Sequence, residues 1–261
     1  MLDLLIPVVF GIFIWWFSTG LVLLLNGMPS TTFRWSLLIS SALAVAALFG
    51  LAHSAAQSSI ANVYCAFTSA LLVWGWHELT FLTGWLTGPR KQPCTAATGW
   101  PRFMQAFAAI MWHELAILAS GIAIIALTWG APNQVGTWTF LVLWLMRISA
   151  KLNLFLGVRN LSEEFLPAHL TYMGSYFKRR AMNMFLPFAV IAASAVLYVL
   201  LLRATSGTAS AADAVGFLLV STMLAMAILE HFLLVLPLPS TALWRWALRG
   251  RNRVATATAI D

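Results

Sequence analysis

Apolar residues run through this chain in long blocks separated by short polar stretches. A block of about 20 apolar residues has the length of a membrane-crossing helix. The pattern predicts seven such spans, at about 2–25, 34–54, 59–87, 102–129, 136–157, 184–203 and 211–236. The weakest break is "AHSAAQSS", between the second and third. Pro132 and Gly136 mark one turn, and Gly157 and Asn160 end the fifth span. The expected fold is therefore all-α: one polytopic membrane domain over residues 1–248, with no room for a separate soluble domain. The first block, "MLDLLIPVVFGIFIWWF", has no basic leader and no small-residue cleavage site, so it reads as a retained span.

Two stretches look interfacial. Residues about 162–181 include "FLPAHLTYMGSYFKRR", where Leu170, Met173 and Phe177 fall on one face ahead of a basic end. That spacing predicts a short amphipathic helix on the cytoplasmic surface. Beyond the seventh span, "PLPSTALWRWALRGRNR" puts Trp244 and Trp246 among arginines, as at a headgroup boundary. Trp15 and Trp16 read the same way. Residues 249–261 read as a basic, disordered tail.

Composition agrees with the pattern: 61% of residues are hydrophobic and 9% charged. The net charge of +7 does not indicate nucleic acid, because the basic residues stand between apolar blocks. Twelve of the fifteen (Arg34, Arg90, Lys91, Arg102, Arg159, Lys178, Arg179, Arg180, Arg245, Arg249, Arg251 and Arg253) fall on one side of the predicted spans. Arg203 alone falls on the other. Positive loops stay in the cytoplasm, so the N-terminus is expected outside, in the periplasm, and the C-terminus inside. The membrane implied is a bacterial inner membrane, with anionic lipid as a partner of the basic loops. Cys65 and Cys94 are expected at opposite faces, too far apart for a disulfide.

The remaining two basic residues, Arg147 and Lys151, lie inside the fifth span. They have company. Of the eight acidic residues, five occur in four doublets: His77-Glu78, His113-Glu114, Glu163-Glu164 and Glu230-His231. Ionisable groups in a membrane mark a functional site by default. Helical rise puts these groups at similar depth in the cytoplasmic half, with Glu163 and Glu164 at its mouth.

Three readings of these residues stand side by side. His77, Glu78, His113, Glu114, Glu163, Glu164, Glu230 and His231 could ligate iron, zinc or manganese, as His and Glu do in helix bundles. Adjacent His and Glu point about 100° apart, however, unlike the three-residue spacing of di-iron bundles. Alternatively, Arg147 and Lys151, four apart on one helix face, neutralise two of Glu78, Glu114 and Glu230. Asn153 and the histidines then complete a buried hydrogen-bond network. In the third reading a histidine is the axial ligand of haem or a magnesium tetrapyrrole. No phosphate loop, dinucleotide fingerprint or Ser-His-Asp order is present.

Four segments, "IWWFSTG" (14–20), "CAFTSALLVWGWHELTFLTG" (65–84), "PNQVGTWTFLVLWLMRISAKLNLFLGVRNLSEEFLPAHL" (132–170) and "LEHFLLVLPLPSTALWRW" (229–246), resemble the PuhE family of photosynthetic complex assembly proteins of phototrophic bacteria. The resemblance covers about residues 1–248. It implies a role beside the photosynthetic reaction centre and its light-harvesting antenna, with their subunits and assembly proteins as partners and a link to bacteriochlorophyll supply. It carries no catalytic residue. A membrane metalloenzyme acting as an oxidoreductase on a tetrapyrrole or other lipophilic substrate is the alternative, and a pigment-binding subunit of a larger photosynthetic complex is another.

Overall fold

The computed structural model describes residues 2–96, 98–238 and 240–248. The tail expected at 249–261 lies outside the described residues, with Arg249, Arg251 and Arg253. Seven long helices carry the fold: α1 (Leu2–Asn26), α2 (Phe33–Ala55), α3 (Ile60–Leu82), α4 (Gly99–Thr128), α5 (Val135–Leu156), α6 (Phe185–Thr205) and α7 (Ala211–Leu233). All except α3 are long and apolar enough to cross a membrane. The reason α3 falls short is its position. It packs against α1, α2, α4, α5 and α7, so few of its side chains need to suit lipid. It can therefore carry Ser69, Thr80 and His77 fully or almost fully buried. Helix α6 is the opposite case: it packs mainly on α7, and Phe188, Ile191, Val196 and Tyr198 are exposed on its outer face. Cys65 and Cys94 are both free thiols.

The third span was expected to run to about residue 87, but α3 stops at Leu82. Gly84 takes a left-handed conformation (φ 77°), and the Trp85 N–H returns to the Thr80 carbonyl at 3.1 Å. This is the Schellman stop, which favours glycine because it has no Cβ to strain. His169 adds a second cap, its Nε2 donating to Leu82 O at 2.9 Å. The chain that follows packs back onto the side of α4. There the His113 N–H donates to Thr87 O at 2.9 Å, and the Arg90 N–H to Ala108 O at 3.3 Å. Gly88 permits the approach, since any Cβ there would run into the carbonyls of Ala108 and Ala109.

Three readings of the interfacial residues need correction. Arg102 is not a loop cation: α4 begins at Gly99, and Arg102 is buried. Its guanidinium donates to the carbonyls of Phe155 (3.2 Å) and Tyr176, and lies 4.3 Å from the Phe155 ring centroid. It thereby adds to the cap on the C-terminal end of α5, where the Gly157 N–H already meets Asn153 O at 2.9 Å and the Lys178 N–H meets Leu154 O at 3.0 Å. The 162–181 stretch is not one amphipathic α-helix on the surface. It forms two 3₁₀ turns, Glu163–Phe165 and Ala168–Tyr176. Leu170 and Met173 turn inward and pack with Phe81, covering the end of α3. Trp244 is not an exposed anchor. It is 5% exposed and docked on α1, where Trp244 Nε1 donates to Trp16 O (3.0 Å) and Trp16 Nε1 returns to Leu243 O (2.9 Å). Gly20 makes room for the Trp246 ring beside them. Indole N–H groups need a partner once buried, and here each tryptophan finds one on the other segment.

The turn into α6 depends on Asn183. Its Nδ2 donates to Asn153 Oδ1 and Gly157 O, both at 3.0 Å, and its Oδ1 accepts from the N–H groups of Phe185 (2.9 Å) and Leu186 (3.1 Å). An amide oxygen that satisfies first-turn N–H groups is worth about 1 kcal/mol, and the two lost carbonyl contacts add to that. Asn183→Ala is expected to cost about 1–2 kcal/mol. Denaturant unfolding in detergent micelles would measure it, and an unchanged midpoint would rule the cap out.

Candidate functional site

Adjacent residues on a helix diverge by about 100°, and both WHEL doublets use that divergence. In α3 and α4 the histidines turn into the sealed interior while the glutamates turn to a more open flank. His77 and His113 are both fully buried, with ring centroids 6.2 Å apart. The His77 Nε2 meets Ser120 Oγ at 2.9 Å, and the His113 ring lies 4.5 Å from Phe81. Neither ring nitrogen of His113 meets a protein partner, and neither does His77 Nδ1.

The flanking glutamates each meet a cation from α5. Glu78 Oε2 accepts from Arg147 Nη2 at 3.1 Å, and Glu114 Oε1 accepts from Lys151 Nζ. The four-residue spacing of Arg147 and Lys151 makes this possible, because one face of α5 runs past both partners. The pairs keep some access to the outside: Glu78 and Glu114 are 17% and 16% exposed, and Arg147 and Lys151 are 37% and 20% exposed. The Lys151 ammonium also stands 5.9 Å from the Phe81 ring centroid, the side chain that borders His113.

The reversed doublet on α7 divides in the same way. His231 is buried, and its Nδ1 donates to Ala227 O at 2.8 Å. Its Nε2 lies 2.8 Å from Ser149 Oγ and accepts from that hydroxyl when the ring is neutral. Glu230, next to it, is exposed, and its Oε1 accepts from Trp15 Nε1 at 3.2 Å. Arg147 is close enough for its charge to act on Glu230 as well as on Glu78.

Asn153 lies one turn beyond Ser149 on α5, on a different face from Arg147 and Lys151. It donates to Ser149 O at 3.0 Å and accepts from Asn183, so one polar chain joins α7, α5 and the start of α6. Ser149→Ala leaves the buried His231 Nε2 without its donor and is expected to cost about 1–2 kcal/mol. Equilibrium unfolding would show this as a lowered midpoint. A wild-type midpoint would mean that the contact contributes nothing.

Glu163 and Glu164 are exposed on a 3₁₀ turn. Glu163 pairs with Arg179 at 3.5 Å rather than with a histidine. Both glutamates line an open pocket of about 160 Å³ with Asn160, Ser162 and Arg179. A larger open groove of about 470 Å³, lined by Pro89, Lys91, Met104 and Gln105, lies along the 83–96 loop and the first turns of α4. Among the described residues, no three His, Cys, Asp or Glu side chains are grouped to hold a metal ion. The charged groups meet in pairs, and the histidines stand beside those pairs.

The contributions of Trp15, Ser120, Ser149 and Asn183 escaped the sequence. Serine and asparagine are common along the chain, and nothing in their spacing distinguishes those that meet a buried partner. Trp15 could have been found by asking which N–H donor a third, unpaired carboxylate would use.

Comparison with known proteins matches nearly the whole chain. Residues 1–255 match the model of a family described as a protein of unknown function, DUF3623. An uncharacterized 30.4 kDa protein in the puhA 5′ region of Rhodobacter capsulatus is 38% identical over 254 residues, covering 91% of this chain and 88% of that protein. No solved structure matches. A match of this extent, taking in every paired residue of the site, makes the chain a member of the DUF3623 family.

Proposed function

We propose that this protein is a multi-pass assembly factor of the bacterial photosynthetic membrane. It acts on the reaction centre or its antenna and is linked to bacteriochlorophyll supply. The observation that carries this reading is the location of the 38% identical relative in the puhA 5′ region, within a photosynthesis gene cluster. The chemistry of the site fits a non-enzymatic role. Glu78 and Glu114 are each held by a cation of α5 and His231 by a serine, which favours a framework that fixes helix register. In this reading α3 is a seventh span. Its 23 residues rise about 34 Å, enough to cross, and its polar residues are tolerated because other helices surround it. The excess of basic residues on the α3–α4 and α5–α6 side supports a cytoplasmic position for that side and a periplasmic N-terminus.

Deletion of the gene from a phototrophic host tests the function. Reaction-centre and antenna absorption in isolated membranes is expected to fall severalfold while transcripts of their subunits stay constant. Unchanged absorption overturns the assembly reading. Metal analysis and an absorption spectrum of the purified protein address the alternatives: stoichiometric iron, zinc or manganese favours the metalloenzyme, and a tetrapyrrole band favours the pigment-binding subunit.

A further inference from the structure

The intramembrane charges do not balance. Glu78, Glu114 and Glu230 supply three carboxylates, while Arg147 and Lys151 supply two cations. Each cation is bonded to one carboxylate, Glu78 or Glu114. Glu230 is left over: Arg147, already bonded to Glu78, acts on it only through space, and its one hydrogen-bond partner among the described residues is a neutral indole N–H. An ionised carboxylate at that depth is costly unless another group meets it.

Its position shows where that group must come from. Glu230 stands at the seam between α1 and α7, at the edge of the exposed arc of the last turns of α7. Elsewhere α7 is the most enclosed of the six apolar helices. Around Glu230 the surface is apolar: Leu229 and, one turn before Trp15, Ile12 are exposed, and Met226 and Leu233 are partly exposed. A single carboxylate on a surface of aliphatic and aromatic side chains has the anatomy of a binding surface, with one polar anchor beside an apolar rim. In lipid, apolar contact alone gives little preference for one helix over another, so the polar anchor decides the partner.

We propose that the α1–α7 seam around Glu230 is a docking site for a transmembrane helix of a partner protein that presents one lysine or arginine on an otherwise apolar face. The partner's cation completes the charge balance, and the rim packs against its neighbouring aliphatic residues. This deepens the assembly reading, since it names the face on which a client subunit would be held, but the test below does not depend on photosynthesis.

The full-length protein is reconstituted in phosphatidylcholine vesicles and titrated with synthetic leucine-alanine helices of about 20 residues, carrying lysine, leucine or glutamate at a central position. Binding is read by energy transfer from a labelled peptide. The lysine helix is expected to bind at least about tenfold tighter than the leucine helix, a difference of about 1.4 kcal/mol. The glutamate helix is expected to bind more weakly than either. Glu230→Gln is expected to reduce the lysine preference to less than about twofold, which is below 0.5 kcal/mol. If that variant does not fold, the order of the three helices on the wild-type protein still decides. Equal binding of lysine and leucine helices overturns the proposal and leaves a proton as the balancing charge. A preference that appears only after residues 249–261 are removed also overturns it, assigning the site to the chain's own arginines. A normal photosynthetic complement in the deletion strain would end the assembly reading without touching this result.

Discussion

Lys151→Met is expected to lower stability by about 3 kcal/mol, the lower end of the range for breaking a buried ion pair because part of each side chain remains accessible. Methionine keeps the length and the apolar stem, so the lost charge, with its contact to the Phe81 ring, is what is measured. Glu114 is then left on the more open flank of α4 without the ammonium that now meets it. Glu114→Gln leaves the opposite problem, an uncompensated Lys151, and is expected to cost a similar amount. The double variant removes both charges and is expected to recover most of the loss, because the desolvation penalty of the pair disappears with it. Two losses of about 3 kcal/mol that collapse to about 1 in the double variant correspond to a coupling of about 5 kcal/mol, above the usual range of about 0.5–3 kcal/mol, which a double-mutant cycle by denaturant unfolding in micelles would measure. Additive losses, or single variants within about 0.5 kcal/mol of wild type, would show that the pair does not hold the helices together. The Arg147–Glu78 pair should show the same pattern.

The helical course of the chain was readable because apolar blocks of membrane length are a strong signal. The limits of that signal are physical too. Helix α3 was found as a block, yet its end was missed by five residues, because the apolar run continues past Leu82 while the backbone has already turned at Gly84. The Arg147 and Lys151 spacing pointed to a shared face, and adjacent His and Glu pointed to divergence, because both follow from the helical repeat alone. What no repeat encodes is the approach of segments far apart in sequence. Trp16 and Trp244 look like interfacial anchors by composition, yet each buries its indole N–H on the other's segment. Arg102 looks like a topology signal, yet it closes the end of α5. Glu163 and Glu164 look like extra site carboxylates, yet the 3₁₀ turn carries them to the surface, where Glu163 meets Arg179.

Gly88→Ala is expected to be the most damaging of the small substitutions. A Cβ there would lie 2.5 Å from the Ala109 carbonyl carbon and 2.7 Å from its oxygen, with Ala108 O nearer still. These are backbone atoms of α4, so no side chain can swing aside and the loop itself must lift. Several bonds depend on its seat: Thr87 O with His113 N (2.9 Å), Tyr176 OH with Gln92 O (2.8 Å), Arg90 Nε with Tyr176 OH (2.8 Å) and Cys94 N with Ser175 Oγ (2.8 Å). Losing two or three of these at about 1 kcal/mol each, with strain of about 1–3 kcal/mol where the loop stays down, gives a loss of about 3–5 kcal/mol. The damage should also reach the site, because Thr87 contacts the backbone of His113 directly. Gly75→Ala is the control. It lies inside α3 with open space around the new methyl and is expected to be neutral or to stabilise by up to about 1 kcal/mol. Thermal unfolding of the two variants, with the amount of folded protein recovered from membranes, separates the cases. Should Gly88→Ala match Gly75→Ala, the loop does not rest on α4 as described, and the seal over His113 would have to come from elsewhere.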